Sequence, residues 1–394
     1  MISVAMCSSG APGRRCPTTQ MSCFGAAFLL MSFLLTSCSS RQGKLVCAEL
    51  PAPSLARNEF GIAEHQRMAI YLPPGYEHSE RRFPVLYFLP NFNCCLWRYT
   101  GGSFQGFHLK EAMDRQLAKG AARDMIIVIP NTVHFLGGSC YRNSPLTGNW
   151  EDYIVKDVVA YVDQHFRTLA AASGRGVAGH GMGGTGALEL ALKHPDTFSC
   201  VYAMSPALFD ENGLRDSGIL ADAQLRKWES LVQEWGTMNE KARRKSFRDY
   251  MQTHLNSPSQ SRFFEGLDVS YGAAVAPDLA LPYPHIAFPG PGQRAPELLD
   301  RYENGFGGWR EKLSRYLARG ERLEGITIEY GKEDEYQWIR RGAAYVSGLM
   351  RSLGVPNALV ISQGSHESAL GQRLETGLLP TVSVMLQGGH RQGL

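Results

Sequence analysis

The sequence predicts an α/β fold: a mostly parallel central sheet, helices on both faces, and a helical cap inserted late in the sheet order. Two observations carry this. Residues 83–89 (FPVLYFL) and 125–129 (MIIVI) are short, continuous apolar runs, as expected of strands buried on both faces. Strand-like and helix-like stretches then alternate to the C-terminus, a pattern that builds a parallel sheet through helical crossovers.

The elements follow in order. Residues 68–72 form a strand that stops at Pro73-Pro74-Gly75, and the runs at 83–89 and 125–129 end at Pro90 and Pro130. Between 151 and 168, Ile154, Val158, Val159, Val162 and Phe166 recur at helical spacing. Residues 175–179 are a strand, 185–193 a helix stopped by His194-Pro195, and 198–204 the next strand. The rhythm breaks at about 210–320, which has amphipathic helices near 221–235 and 241–254, a Pro/Gly-rich stretch at 277–296 and a helix near 296–319. We read this segment as a cap over the strand ends, where pockets form in such sheets. Strands at 326–330 and 358–362 complete the expected domain, residues 59–388.

Ahead of that domain, residues 1–37 read as an export signal. Arg14 and Arg15 precede an apolar run, 24–35, that is too short to cross a hydrocarbon core of about 30 Å comfortably. The run ends in Leu35-Thr36-Ser37-Cys38, similar to a bacterial lipobox, so Cys38 is the expected lipidation site. Lipidation there implies at least two acyl chains, enough for stable anchoring to the cell envelope. Residues 38–58, polar with proline and alanine, are expected to be the tether. Of nine cysteines, five lie beyond Cys38, so one at least stays free or pairs between chains. A Cys95–Cys140 disulfide is one possible pairing, and no Cys-x-x-Cys metal spacing occurs.

The charge balance, 40 basic against 37 acidic residues, supplies no field for nucleic acid.

The chemistry centres on residues 179–184, Gly-His-Gly-Met-Gly-Gly, between a strand and a helix. The nucleophile elbow of serine hydrolases reads Gly-x-Ser-x-Gly at such a turn; here the central position is Gly181. A Rossmann loop fits the glycines, but no acidic residue ends a strand about 20 residues on. Hydrolysis through an acyl-enzyme needs a nucleophile, a histidine and an orienting carboxylate, in that chain order for this kind of sheet. The loop after 326–330 carries Glu333, Asp334 and Glu335, and the loop after 358–362 carries His366.

Residues 83–89, 125–130, 141–153 (YRNSPLTGNWEDY), 175–184 (RGVAGHGMGG) and 193–198 (KHPDTF), with 331–334 and His366, resemble the esterase D, S-formylglutathione hydrolase and antigen 85 family of α/β-hydrolases. The resemblance runs from about 60 to 385. It implies an α/β-hydrolase fold, ester or thioester hydrolysis or acyl transfer on a small acyl ester, and no metal or organic cofactor. It assigns the acid to Asp334, the histidine to His366, the nucleophile position to Gly181, and the oxyanion amides to Met182 and Phe92. Two features depart from the family pattern: the serine is missing, and Pro90-Asn91 replaces the usual small pair before the oxyanion loop. Asn91 can take a positive φ there, which would keep the Phe92 amide in place.

Loss of a nucleophile costs roughly 10⁶ in turnover in serine proteases. The expected function is therefore a pseudoenzyme that binds a ligand or partner without turning it over. The alternative is a hydrolase in which His366, oriented by Asp334, activates water, or in which Thr185 or Ser144 substitutes as nucleophile. A third reading, an introduced serine-to-glycine change, sits poorly with the retained export segment. Trp97, Trp150, Tyr283 and Phe288 are weighed as stacking groups for a ring and read chiefly as packing.

Overall fold

The computed structural model describes residues 42–290 and 295–388, with the dipeptide Ala5–Met6. Among these, the strands of one nine-stranded sheet are β1 (Ala5–Met6), β2 (Lys44–Pro51), β3 (His65–Leu72), β4 (Val85–Leu89), β5 (Ile126–Pro130), β8 (Arg175–His180), β9 (Cys200–Met204), β10 (Gly325–Gly331) and β11 (Ala358–Ser362). A short hairpin, β6 (Asn143–Ser144) and β7 (Gly148–Asn149), lies apart from it. The spatial order is β1-β2-β3-β5-β4-β8-β9-β10-β11. Pairing is antiparallel from β1 to β5 and parallel from β5 onwards.

The alternation of side chains explains why the central strands are continuously apolar. On β4, Val85, Tyr87 and Leu89 join one core cluster, while Leu86 and Phe88 join the other. Ile126 and Val128 of β5 face the first cluster, Ile127 and Ile129 the second. The helix Met182–Lys193 packs in the first layer, and the helix Leu109–Ala118 in the second.

The strand order reverses at β4, which sits between β5 and β8. In open α/β sheets the crevice beyond the carboxyl ends at such a point is where ligands bind. The residues following β4 and β8 are Pro90-Asn91-Phe92 and Gly181-Met182, so the fold brings the loop with the unusual Pro-Asn pair against the elbow.

Three differences from the sequence reading have physical causes. Residues 44–58 are not a tether: β2 pairs along its whole length with β3, Lys44 opposite Leu72 and Pro51 opposite His65. Its Val46, Ala48 and Leu50 are buried at every second position, and Leu55 in the turn beyond is fully buried. The stretch expected as one helix near 296–319 is two, Pro296–Phe306 and Trp309–Leu317, broken at Gly307-Gly308. A helix unread in the sequence, Gln260–Val275, joins Asp222–Gly236 and Glu240–Leu255 in the insertion between β9 and β10. Much of this insertion packs around Trp228, Trp235, Phe247 and Met251, which meet Phe60 and Leu146 of the main body.

Cys94, Cys95, Cys140 and Cys200 are free thiols, so the Cys95–Cys140 bridge is not formed; Cys47 is disulfide-bonded. Cys38 lies outside the described residues, as does the rest of the export segment apart from Ala5–Met6. Among the described residues no helix is long and apolar enough to cross a membrane.

Candidate active site

Gly181 stands at the end of β8 with φ +55° and ψ −118°, directly before the helix Met182–Lys193. An L-residue held in so sparsely populated a region costs of order 1–3 kcal/mol, which glycine avoids. The sharp turn of the elbow is therefore kept, and only the side chain is gone. The amide of Gly181 donates to the Met204 carbonyl at 2.9 Å, pinning the turn to β9.

What fills the space is Asn91. A Cβ added at Gly181 would lie 2.0 Å from Asn91 Oδ1, 2.4 Å from its Cγ and 2.7 Å from its Nδ2. The Asn91 carboxamide thus occupies the volume a nucleophile side chain would take. Its Oδ1 accepts from the amide of Phe92 at 2.7 Å and from the amide of Met182 at 2.9 Å. These are the two amides that the family resemblance assigns to an oxyanion hole, and they converge on one acceptor. With Oδ1 so fixed, Nδ2 faces His366 Nε2 at 3.3 Å. Asn91 does not adopt a positive φ; that role falls to Asn93, at φ +51°. The extra backbone strain lies two residues later than expected, leaving the Asn91 side chain free to turn inward.

Asp334 and His366 also come together. Asp334, from the loop after β10, accepts from His366 Nδ1 at 3.0 Å, and both are buried. Tyr336 N donates to the other Asp334 oxygen, and Glu335 accepts from His366 N, each at 3.0 Å. Of the three neighbouring acids, Asp334 alone holds the imidazole; Glu335 holds the backbone beneath it. With Nδ1–H donating to Asp334, Nε2 is the acceptor of the Asn91 amide hydrogen.

A second chain of bonds ties the same partners from behind. Asn91 N donates to the Tyr99 hydroxyl at 3.1 Å, which lies 3.3 Å from His180 Nδ1; His180 Nε2 lies 3.0 Å from the His366 carbonyl. Burial holds His180 well below the ordinary histidine range. As a neutral ring it donates through Nε2 and accepts through Nδ1. The sequence gives no hint of this role for the variable residue of the elbow.

The His366 loop is anchored by a buried guanidinium. Arg373 Nε donates to Glu329 on β10 at 2.7 Å, Nη1 to the Ser365 carbonyl at 3.0 Å and Nη2 to Ser205 beyond β9 at 3.0 Å. Tyr202 donates to the other Glu329 oxygen at 2.6 Å. The last turn before His366 is thereby fixed to the ends of two central strands.

Over these groups opens a cavity of about 430 Å³, lined by Asn91, Gly181, Met182 and His366 at its base. Phe263, Phe264 and Leu267 of the insertion and Tyr336, Trp338 and Ile339 of the opposite rim form its walls. The aromatics weighed from sequence are elsewhere: Trp150 and Tyr283 are buried in packing, Phe288 lies against Trp228 at 4.5 Å, and Trp97 is half exposed. The substitute nucleophiles are committed too. Thr185 Oγ1 donates to the Ala207 carbonyl at 2.9 Å and Ser144 Oγ to that of Ala273 at 2.6 Å, and neither lines the cavity. Among the described residues, no group of three or more His, Cys, Asp or Glu could hold a metal ion.

The sheet order and the nucleophile-position, acid and histidine loops define the α/β-hydrolase class. The sequence matches the family described as "Putative esterase" over residues 62–263, half of the chain, and the protein belongs to that family. It is 34% identical over 135 residues to the esterases MT1326 and Rv1288 of two Mycobacterium tuberculosis strains. That match takes in 33% of this chain but only 26% of theirs, so it compares one part of much longer proteins. In three dimensions the chain is similar to FphF, a fluorophosphonate-binding serine hydrolase of Staphylococcus aureus (TM-score 0.53, 16% identity). It is also similar to a ferulic acid esterase (TM-score 0.52, 20% identity). Each superposition covers 88% of this chain and 99% of the other, a likeness of fold.

Proposed function

We propose that this protein is a non-hydrolytic member of the esterase family, an α/β-hydrolase scaffold that binds a small acyl-type ligand without turning it over. The observation that carries the reading is the position of the Asn91 carboxamide. It stands in the nucleophile's place, accepts from both amides that would receive an oxyanion, and donates to the one nitrogen that could act as base. The water-activating alternative needs His366 Nε2 free to accept from a water, and that lone pair is in use. Expected on p-nitrophenyl acetate and butyrate is a rate no greater than that of the His366→Ala variant. Turnover that disappears with His366→Ala would sink the reading and restore a hydrolase.

The chain is further proposed to act at a bacterial cell envelope, anchored through lipidated Cys38 and without nucleic-acid partners. Cleavage before Cys38 removes β1 and leaves β2 as the sheet edge, so the folded body begins only a few residues from the membrane anchor. Labelled palmitate should enter the wild-type protein in a bacterial host and not the Cys38→Ala variant; an unlabelled wild type would rule the anchor out.

A further inference from the structure

We propose that the cavity selects an uncharged ligand with an apolar body, met at its base by the single N–H donor Asn91 Nδ2 instead of by the pair of backbone amides. The inference rests on the non-hydrolytic reading and specifies what that site accepts.

Two observations converge on it. First, Asn91 changes the polarity that a ligand meets. Its Oδ1 takes both backbone donors, so an incoming carbonyl or carboxylate finds no two-donor hole. It finds an amide nitrogen with one hydrogen directed to His366 and a second still available. Second, the charges at the wall leave nothing over for an anion. Arg98 is paired with Glu367 at 3.3 Å, and Glu335 is the remaining charged residue of the lining. One cation thus faces two carboxylates beside a histidine that is accepting a hydrogen bond. An anionic ligand would meet a wall of its own sign in a partly desolvated site. The rest of the surface, Phe263, Phe264, Leu267 and Ile339 among it, suits an aromatic or alkyl body.

The test uses two probes of one shape, 2-naphthamide and 2-naphthoate, titrated calorimetrically into the mature protein at neutral pH. The amide is expected to bind, and the carboxylate to bind about tenfold more weakly or not at all. Asn91→Ala supplies an independent arm. It withdraws one donor and frees the amides of Met182 and Phe92, so the preference should move toward naphthoate. Equal or tighter binding of naphthoate by the wild type, no binding of either probe, or an unchanged preference in Asn91→Ala would each overturn the inference. Hydrolysis of 2-naphthyl acetate, with amide selectivity intact, would instead overturn the non-hydrolytic reading and leave the selectivity standing.

Discussion

Gly181→Ser alone is expected to give a less stable protein without esterase activity, whereas Gly181→Ser combined with Asn91→Ala gives an active one. The single substitution places a Cβ 2.0 Å from Asn91 Oδ1, where nothing can remain. The Asn91 bonds to Phe92 N, Met182 N and His366 cannot survive that overlap, yet the displaced carboxamide still crowds the serine within the same turn, and serine must take a backbone conformation at φ +55°. Strain of about 1–3 kcal/mol and donors left short of partners at about 1–3 kcal/mol each put the loss at about 3 kcal/mol or more. In the double variant the clash is gone. The serine hydroxyl can reach His366 Nε2, and both backbone amides are open to an oxyanion. A nucleophile is worth roughly 10⁶ in turnover where the rest of a site is complete. Hydrolysis of p-nitrophenyl butyrate at least about 10³ above the His366→Ala background is a modest expectation for the double variant. The two substitutions should also be non-additive in urea unfolding by about 1–3 kcal/mol, the double being more stable than the sum of the singles predicts. If Gly181→Ser by itself were as active as the double variant, Asn91 would be a bystander. An inactive but folded double variant would mean that the His366 loop or the cap has also changed.

That coupling shows where the sequence could be read and where it could not. The central strands were legible because burial on both faces demands unbroken apolar runs, as at 126–129, and the elbow because its turn needs glycines at fixed spacing. Asp334 and His366 were legible as loop residues in the right chain order, although choosing Asp334 over Glu333 and Glu335 took the family pattern. β2 was overlooked for its composition, yet Val46, Ala48 and Leu50 alternate at period two, a signal present in the chain itself. The role of Asn91 lay beyond local reasoning, because a side chain from the β4 loop fills a hole in the β8 loop, 90 residues away. One clue existed. A missing side chain in a buried turn leaves a void, close packing does not tolerate voids, and the other departure from the family pattern was the Pro90-Asn91 pair beside it. Two departures facing each other are more simply one compensated change than two losses.

The proposed reading gives Asp334 and His366 a second role beside Gly181. In a hydrolase the imidazole must shuttle protons; here it accepts one hydrogen bond and holds one side chain. His366 bonds to Asp334 through Nδ1, to Asn91 through Nε2, to Glu335 through its amide and to His180 through its carbonyl. It joins the loops after β4 and β10 to the end of β8. On the proposed non-hydrolytic reading, the acid–base pair is a structural requirement of the site that Asn91 fills.

Arg373→Met is the substitution outside the cavity expected to cost most, about 3–5 kcal/mol of unfolding free energy in urea. Removing one partner of a buried ion pair leaves the other charge uncompensated, which is far worse than never having had the pair. Arg373 and Glu329 are 5% and 1% exposed, and the guanidinium also satisfies the Ser365 carbonyl and the Ser205 hydroxyl. Its loss orphans a carboxylate and releases the turn before His366 in a single step. Glu329→Gln placed on top of Arg373→Met should recover part of the stability, because the remaining buried group is then neutral. It should not recover the anchoring of Ser365. Probe binding in the cavity should accordingly stay weak in the double variant even as its unfolding midpoint rises. A loss below about 1 kcal/mol for Arg373→Met would show that the network is not closed to solvent. Full recovery of binding in the double variant would show that the charge matters and the tie to the His366 loop does not. The expected separation of the two readouts follows from one side chain serving two elements: its charge answers Glu329 in the core, and its geometry holds the loop that presents His366 to Asn91.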